Sequence, residues 1–128
     1  MKTGASGLLI MVWSCDLRNP ERAATPFMVA QVAAAIDLQV EMLFTAQAVQ
    51  WLFSEQGDRL IGFGPQRLSV HHYLKAAADA GIDIRACSQA LNALGRSSDT
   101  LAPQCAGLGG MVAFIERGQD PAWRTLVF

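Results

Sequence analysis

A three-layer α/β/α sandwich, with helices on both faces of a mostly parallel sheet, is the fold class this sequence predicts. Apolar runs alternate with helical segments in units of about 30 residues, the length of a strand–helix–strand unit. The first run, Leu8 to Trp13, is apolar at every position, and a strand apolar on both faces belongs inside a parallel sheet covered by helices. With 52% hydrophobic and only 16% charged residues, the chain can bury a core and is not a disordered polymer. Its 128 residues suit one domain, 1–128.

After the first strand and the polar stretch Ser14 to Asn19, the Pro20-Glu21-Arg22 start and the alanine-rich segment Ala23 to Ile36 predict a helix. Pro26 lacks an N–H, so either the helix starts at Thr25-Pro26 or it bends there. Leu38 to Phe44 reads as a second strand carrying Glu41 on one face. Thr45 is the expected cap of a short helix, Ala46 to Phe53, with Val49 and Leu52 inward. Gln56-Gly57-Asp58 and Gly62-Phe63-Gly64-Pro65 mark irregular chain. Ser69 to Ala80 is an amphipathic helix with Tyr73, Leu74 and Ala77 inward, stopped by Gly81 in the left-handed conformation. Ile82 to Ala86 is a short strand and Ser88 to Leu94 a helix that Gly95 ends. Gly110 to Ile115 is expected as the last clear strand, with an edge strand at Thr125 to Phe128.

A net charge of −1, from 10 Lys+Arg against 11 Asp+Glu, leaves no footprint for nucleic acid or an anionic membrane. The apolar run at Leu8 is too short for a signal-peptide core or a membrane span. Three cysteines, an odd number in a chain large enough to fold without staples, argue against a secreted disulfide framework and for a reducing, cytoplasmic setting.

In a parallel sheet, ligands and chemistry gather beyond the carboxyl ends of the strands, which ranks the cysteines. Cys87 stands where a strand hands over to a helix, so unpaired amides and the positive end of the helix dipole favour an anionic sulfur there. The competing reading is a small buried hydrophobe. Cys15 follows the first strand and shares the same rim if the strands are parallel. Cys105 lies in the loop ahead of Gly107.

No Cys-x-x-Cys pair occurs, and the adjacent His71 and His72 project about 100° apart from a helix, so no metal site is expected. The two histidines read as a solvated pair or a subunit contact. Gly107-Leu108-Gly109-Gly110 precedes the expected last strand and Gly62-Phe63-Gly64 a proline, whereas a phosphate loop needs a strand before and a helix after. Without a nucleophile elbow, a Walker lysine or a zincin motif, the chemistry left is that of thiols.

The order of Asp16 to Arg22, Pro26-Phe27 to Ala35, Asp37 to Thr45, Ala80-Gly81-Ile82-Asp83-Ile84-Arg85-Ala86-Cys87 and Leu101-Ala102-Pro103 ahead of Gly109-Gly110 resembles the DsrE/DsrF-like sulfur-relay family, which includes TusD-like proteins. The resemblance spans nearly the whole chain. It implies a five-stranded parallel sheet assembled as a homotrimer or homohexamer. It further implies sulfane sulfur carried as a persulfide on Cys87 and exchanged with a TusA-like or rhodanese-like carrier protein. Cys15 and Cys105 fall outside the matching motif and are candidate auxiliary or resolving thiols, and Gln89 or Arg85 could assist. On this view the protein is a sulfurtransferase or a persulfide carrier that needs no metal or organic cofactor. Because some relatives lack the cysteine, a non-catalytic oligomeric binding or scaffold module of the same fold is the alternative. Trp13, Trp51, Trp123, Phe53 and Phe63 would then include residues that face a neighbouring subunit.

Overall fold

The computed structural model describes residues 6–128. Its centre is an all-parallel sheet in the order β6-β5-β2-β1-β7. The strands are β1 (Gly7–Val12), β2 (Gln39–Phe44), β5 (Asp83–Cys87), β6 (Gly107–Gly109) and β7 (Trp123–Val127). A two-stranded antiparallel hairpin, β3 (Leu60–Ile61) with β4 (Leu68–Ser69), stands apart from it. The helices are α1 (Ala24–Ala35), α2 (Val70–Asp79), α3 (Ser88–Ala93) and α4 (Met111–Gly118).

The strand order dictates where the helices lie. Crossovers between parallel strands are right-handed. The steps β1 to β2, β2 to β5 and β5 to β6 all run one way across the sheet, so α1, α2 and α3 share one face. The last step, β6 to β7, runs back, which puts α4 on the other. The first face is accordingly dry: Ile10, Val12, Met42, Phe44 and Ile84 are buried beneath the Phe27, Ala30 and Ala33 side of α1 and Leu74 and Ala77 of α2. Phe27 stacks on Tyr73 and packs tilted against Phe44. The second face has only an eight-residue helix over it, and its strands carry charge: Glu41 on β2 and Asp83 and Arg85 on β5.

Pro26 is the third residue of α1, in the first turn, where its missing N–H has no helical carbonyl to lose. The helix ends where Asp37 turns the chain with φ of 71° and the Leu38 N–H returns to the Ala33 carbonyl at 3.0 Å. The far side of α1, Met28, Val32 and Ile36, is an exposed apolar stripe. Ser69 Oγ accepts the His72 N–H at 3.1 Å and caps α2. Gly81 (φ 79°) and Gly95 (φ 66°) turn the chain after α2 and α3 in the left-handed region, as their positions in the sequence require.

Three expectations need correction. Gly110 to Ile115 is not a strand: Gly110 is the N-cap of α4 and Met111 to Gly118 is helical. A six-residue apolar run has no period that tells strand from helix, and the true strand, β6, is the Gly-Leu-Gly that β-propensity passes over. The glycine cluster is therefore itself the strand β6 plus the N-cap of α4, which leaves no glycine loop between a strand and a helix to cradle a phosphate. The segment after β2 is a 3-10 helix, Ala46–Leu52, and the Thr45 side chain does not cap it. Ala46 instead turns the chain with φ of 51°.

β7 joins the sheet at β1 in parallel register, Gly7 opposite Trp123. An added Cβ at Gly7 would stand 2.4 Å from Cδ2 of Trp123, too close for any carbon. Gly7→Ala is therefore expected to destabilise the fold by about 1–3 kcal/mol through overpacking, measured as a lowered denaturation midpoint in urea.

Candidate functional site

β5 alternates between the two faces, with Ile84 and Ala86 in the core and Asp83, Arg85 and then Cys87 in the opposite row. Cys87 ends the strand, is the N-cap residue of α3 and is 1% exposed. Its sulfur makes no capping bond to the first-turn amides, and its register partner across the edge of the sheet is Gly109. The carboxyl-end position expected for Cys87 is what the structure shows, under a closed cover.

Cys15 lies three residues beyond β1 and is also buried. The loop that holds it is pinned from two sides. Trp51 Nε1 donates to the Cys15 carbonyl at 3.1 Å, and Arg59, whose guanidinium stacks over the Trp51 ring, donates to the Leu17 carbonyl at 2.7 Å. Asp16 next to it accepts the Arg18 backbone N–H and its guanidinium, both at 2.8 Å, and those bonds hold its carboxyl below the usual carboxylate range. β2 lies between β1 and β5, so the strand ends preceding Cys15 and carrying Cys87 are about 10 Å apart laterally.

Cys105 is not on the rim. Its sulfur lies beside β5, 3.5 Å from the carbonyl oxygens of Ile84 and Gly107, and the residue is half-buried. Burial pushes the Cys15 and Cys105 thiols above the ordinary thiol value. All three cysteines are unpaired. The structure thus puts Cys105 beside the strand that carries Cys87, below its end, and Cys15 across β2 from it.

The second face holds a feature that the cysteines alone do not reveal. A cleft of about 280 Å³ lies between the sheet and α4, with Leu9 and Leu43 in its floor and Ala113 and Phe114 in its wall. Four charged groups line it. Arg117 reaches down from α4 to Glu41 at 2.8 Å and lies over the Trp123 ring at 4.7 Å. Arg85 takes Asp83 through Nε at 2.8 Å and Nη2 at 3.2 Å, and donates Nη1 to the Leu108 carbonyl at 3.2 Å. At the Cys87 end of the cleft is Gly109, where a Cβ would crowd Leu43 Cδ1 at 3.1 Å and Arg85 Cβ at 3.2 Å. Asp83 and Arg117 were not singled out by sequence. The i, i+2 spacing of Asp83 and Arg85 on one strand was available as a signal, but Arg117 was hidden by reading its segment as following a strand.

The remaining candidates separate cleanly. His71 and His72 are exposed in the first turn of α2. Trp51, Phe53 and Trp123 are buried, whereas Trp13 is 53% and Phe63 93% exposed. Gln89 is exposed on α3. Among the described residues, no group of three or more His, Cys, Asp or Glu is placed to hold a metal ion, and no helix is long and apolar enough to cross a membrane.

Residues 10–128 match the family model described as the DsrE/DsrF-like family. Two solved structures are similar over almost their whole lengths. A protein of unknown function from Methanobacterium thermoautotrophicum, MTH1491, superposes with a TM-score of 0.71 at 15% identity, covering 94% of this chain and 97% of that one. The YchN protein of E. coli does so with a TM-score of 0.71 at 14% identity, covering 95% and 99%. At such identities the likeness is one of fold. A comparison with curated protein sequences returned no match.

The thiols differ in access, which fixes their expected reactivity. In native protein Cys105 should alkylate first, with Cys15 and Cys87 protected until the chain unfolds. Since burial favours the neutral thiol of Cys105, its alkylation should go on accelerating as pH rises past the ordinary thiol value of about 8.5. Peptide mapping after timed iodoacetamide treatment across that range reads both the order and the pH dependence.

Proposed function

Because the chain belongs to the DsrE/DsrF-like family, we propose that it is a sulfur-transfer protein that carries sulfane sulfur as a persulfide on Cys87. The observation that supports this reading is the seat of Cys87, at the carboxyl end of a strand inside the sheet and at the start of a helix, where a parallel α/β fold puts its chemistry. The thiolate of Cys87 attacks the outer sulfur of a donor persulfide. A new S–S bond forms at Cys87, the donor's S–S bond breaks, and the donor leaves as a thiolate. Attack on the outer sulfur of the Cys87 persulfide by an acceptor thiolate then regenerates Cys87. Sulfur moves at constant overall oxidation level, so the cycle needs neither metal nor organic cofactor.

The 1% exposure of Cys87 sets a condition on that cycle. A donor sulfur reaches it only when the cover opens, and α3, six residues long, is the short element beside it. A protein partner of the TusA-like or rhodanese-like kind supplies both the persulfide and the contact that opens the cover. Cys15 and Cys105, being buried or half-buried and held as thiols, serve as auxiliary groups at most. The reading sets the cycle in a reducing cytoplasm, which an odd number of cysteines supports.

A brief exposure of reduced protein to a persulfide donor, followed by intact mass measurement, tests the reading. The expected result is a gain of one sulfur that dithiothreitol reverses, present in Cys15→Ser and Cys105→Ser and absent in Cys87→Ser. A gain that vanishes with a different cysteine moves the site, and no gain on any cysteine overturns the proposal in favour of a binding or scaffold module.

The proposal includes assembly as a homotrimer or homohexamer. The Met28, Val32 and Ile36 stripe, at 54%, 64% and 63% exposure, is an apolar helix face of the kind that subunits cover. Light scattering on the eluting protein should give a mass three or six times that of the chain, and a persistent monomer would remove this part of the reading.

A further inference from the structure

The central strands of a parallel sheet are normally apolar on both faces, and like charges directly opposite each other destabilise a strand pair. Here Glu41 and Asp83 are register partners on β2 and β5, on the face that α4 covers only in part. The two carboxylates are held by two guanidiniums, Arg117 on Glu41 and Arg85 on Asp83. A local departure from fold-wide rules that is sustained by its own network marks a functional place more often than a structural one.

The arrangement has a definite chemical complement. The four charges sum to zero, so a ligand of net charge would leave the cleft unbalanced, whereas one that carries both signs would not. The arginine side chains are the more accessible members, at 46% for Arg85 and 45% for Arg117, against 34% for Asp83 and 26% for Glu41. Each guanidinium has five N–H donors, and each spends only part of them within the cluster. The carboxylates keep lone pairs that can accept an ammonium. Leu9, Leu43 and Phe114 supply an apolar wall for a short side chain, and Gly109, without a Cβ, lets Leu43 and Arg85 close in on the end toward Cys87.

We propose that this cleft binds a small zwitterion of the α-amino-acid class, its carboxylate on the free donors of Arg85 and Arg117 and its ammonium on Glu41 and Asp83. Cys87 is the next member of the row formed by Asp83 and Arg85. The binding is independent of the sulfur-transfer reading above.

The test uses full-length protein and S-methyl-L-cysteine, a zwitterion whose sulfur is blocked, followed by backbone amide NMR. Saturable shifts at millimolar ligand are expected at Gly109, Gly110, Ala113 and Arg117 and at the Trp123 indole. Two analogues, 3-(methylthio)propanoate without the ammonium and 3-(methylthio)propylamine without the carboxylate, should each bind about tenfold or more weakly, the cost of one lost charge-assisted contact. Arg117→Met should weaken the zwitterion by a similar factor, and Arg117→Lys should recover part of it. No saturable shift at these residues overturns the proposal, as does binding of either half-ligand as tight as the whole. The comparison of ligands is made on unaltered protein, so it stands even if a variant fails to fold. Persulfide loading of Cys87 without zwitterion binding sinks this inference alone, and zwitterion binding without loading sinks the sulfur-transfer reading alone.

Discussion

A parallel sheet must have both its faces covered, and this chain meets that demand unequally. Three crossovers run one way across the sheet and only one runs back, so one face receives α1, α2 and α3 and the other receives α4. The rest of the molecule follows from that imbalance. The heavily covered face can be fully apolar, which is where Phe27, Phe44 and Ile84 are buried. The lightly covered face leaves Glu41, Asp83 and Arg85 partly exposed and tolerates them, neutralised among themselves and by Arg117. The cleft is the space that one short helix fails to fill.

The same geometry explains why the cysteines differ. Cys87 ends a strand of the sheet and is closed over, whereas Cys105 lies beside that strand, half-open and bonded to main-chain carbonyls. Cys15 is in a loop whose carbonyls are fixed from outside by the Trp51 indole and the Arg59 guanidinium, each reaching across from the segment after β2. In the thiol chemistry proposed for Cys87, access depends on the short elements around that residue, not on the sheet.

Much of this was legible in the sequence. The all-apolar run at Leu8 to Trp13 identified an interior strand, and the alternation of strands with helices gave the parallel α/β class. Gly81 and Gly95 marked helix ends through their left-handed backbone. The stretch 107–118 was not legible, for a physical reason. β6 is Gly-Leu-Gly, whose residues carry almost no side-chain signal, and α4 presents apolar Val112 and Ile115 to solvent, at 74% and 59% exposure, so its pattern does not point to the core. Misreading α4 as a strand removed Arg117 from view and with it the second half of the charged cleft. Cys87 could be placed because strand and helix met at it in an ordinary pattern, while its burial depends on tertiary neighbours that no local pattern encodes.

The register of β7 has one more consequence, for the order in which the molecule can be made. β7 is the last of the described strands, yet it pairs with the first, Gly7 opposite Trp123. While the polypeptide emerges from the ribosome, the lightly covered face has no α4 until residues 111–118 are out, and the outer hydrogen-bonding edge of β1 has no mate until residues 123–127 are. An unpaired edge beside an uncovered apolar strand is the sort of surface that seeks another chain. For this fold, the interval between synthesis of β1 and arrival of β7 is one in which that edge stays open to pairing with another chain.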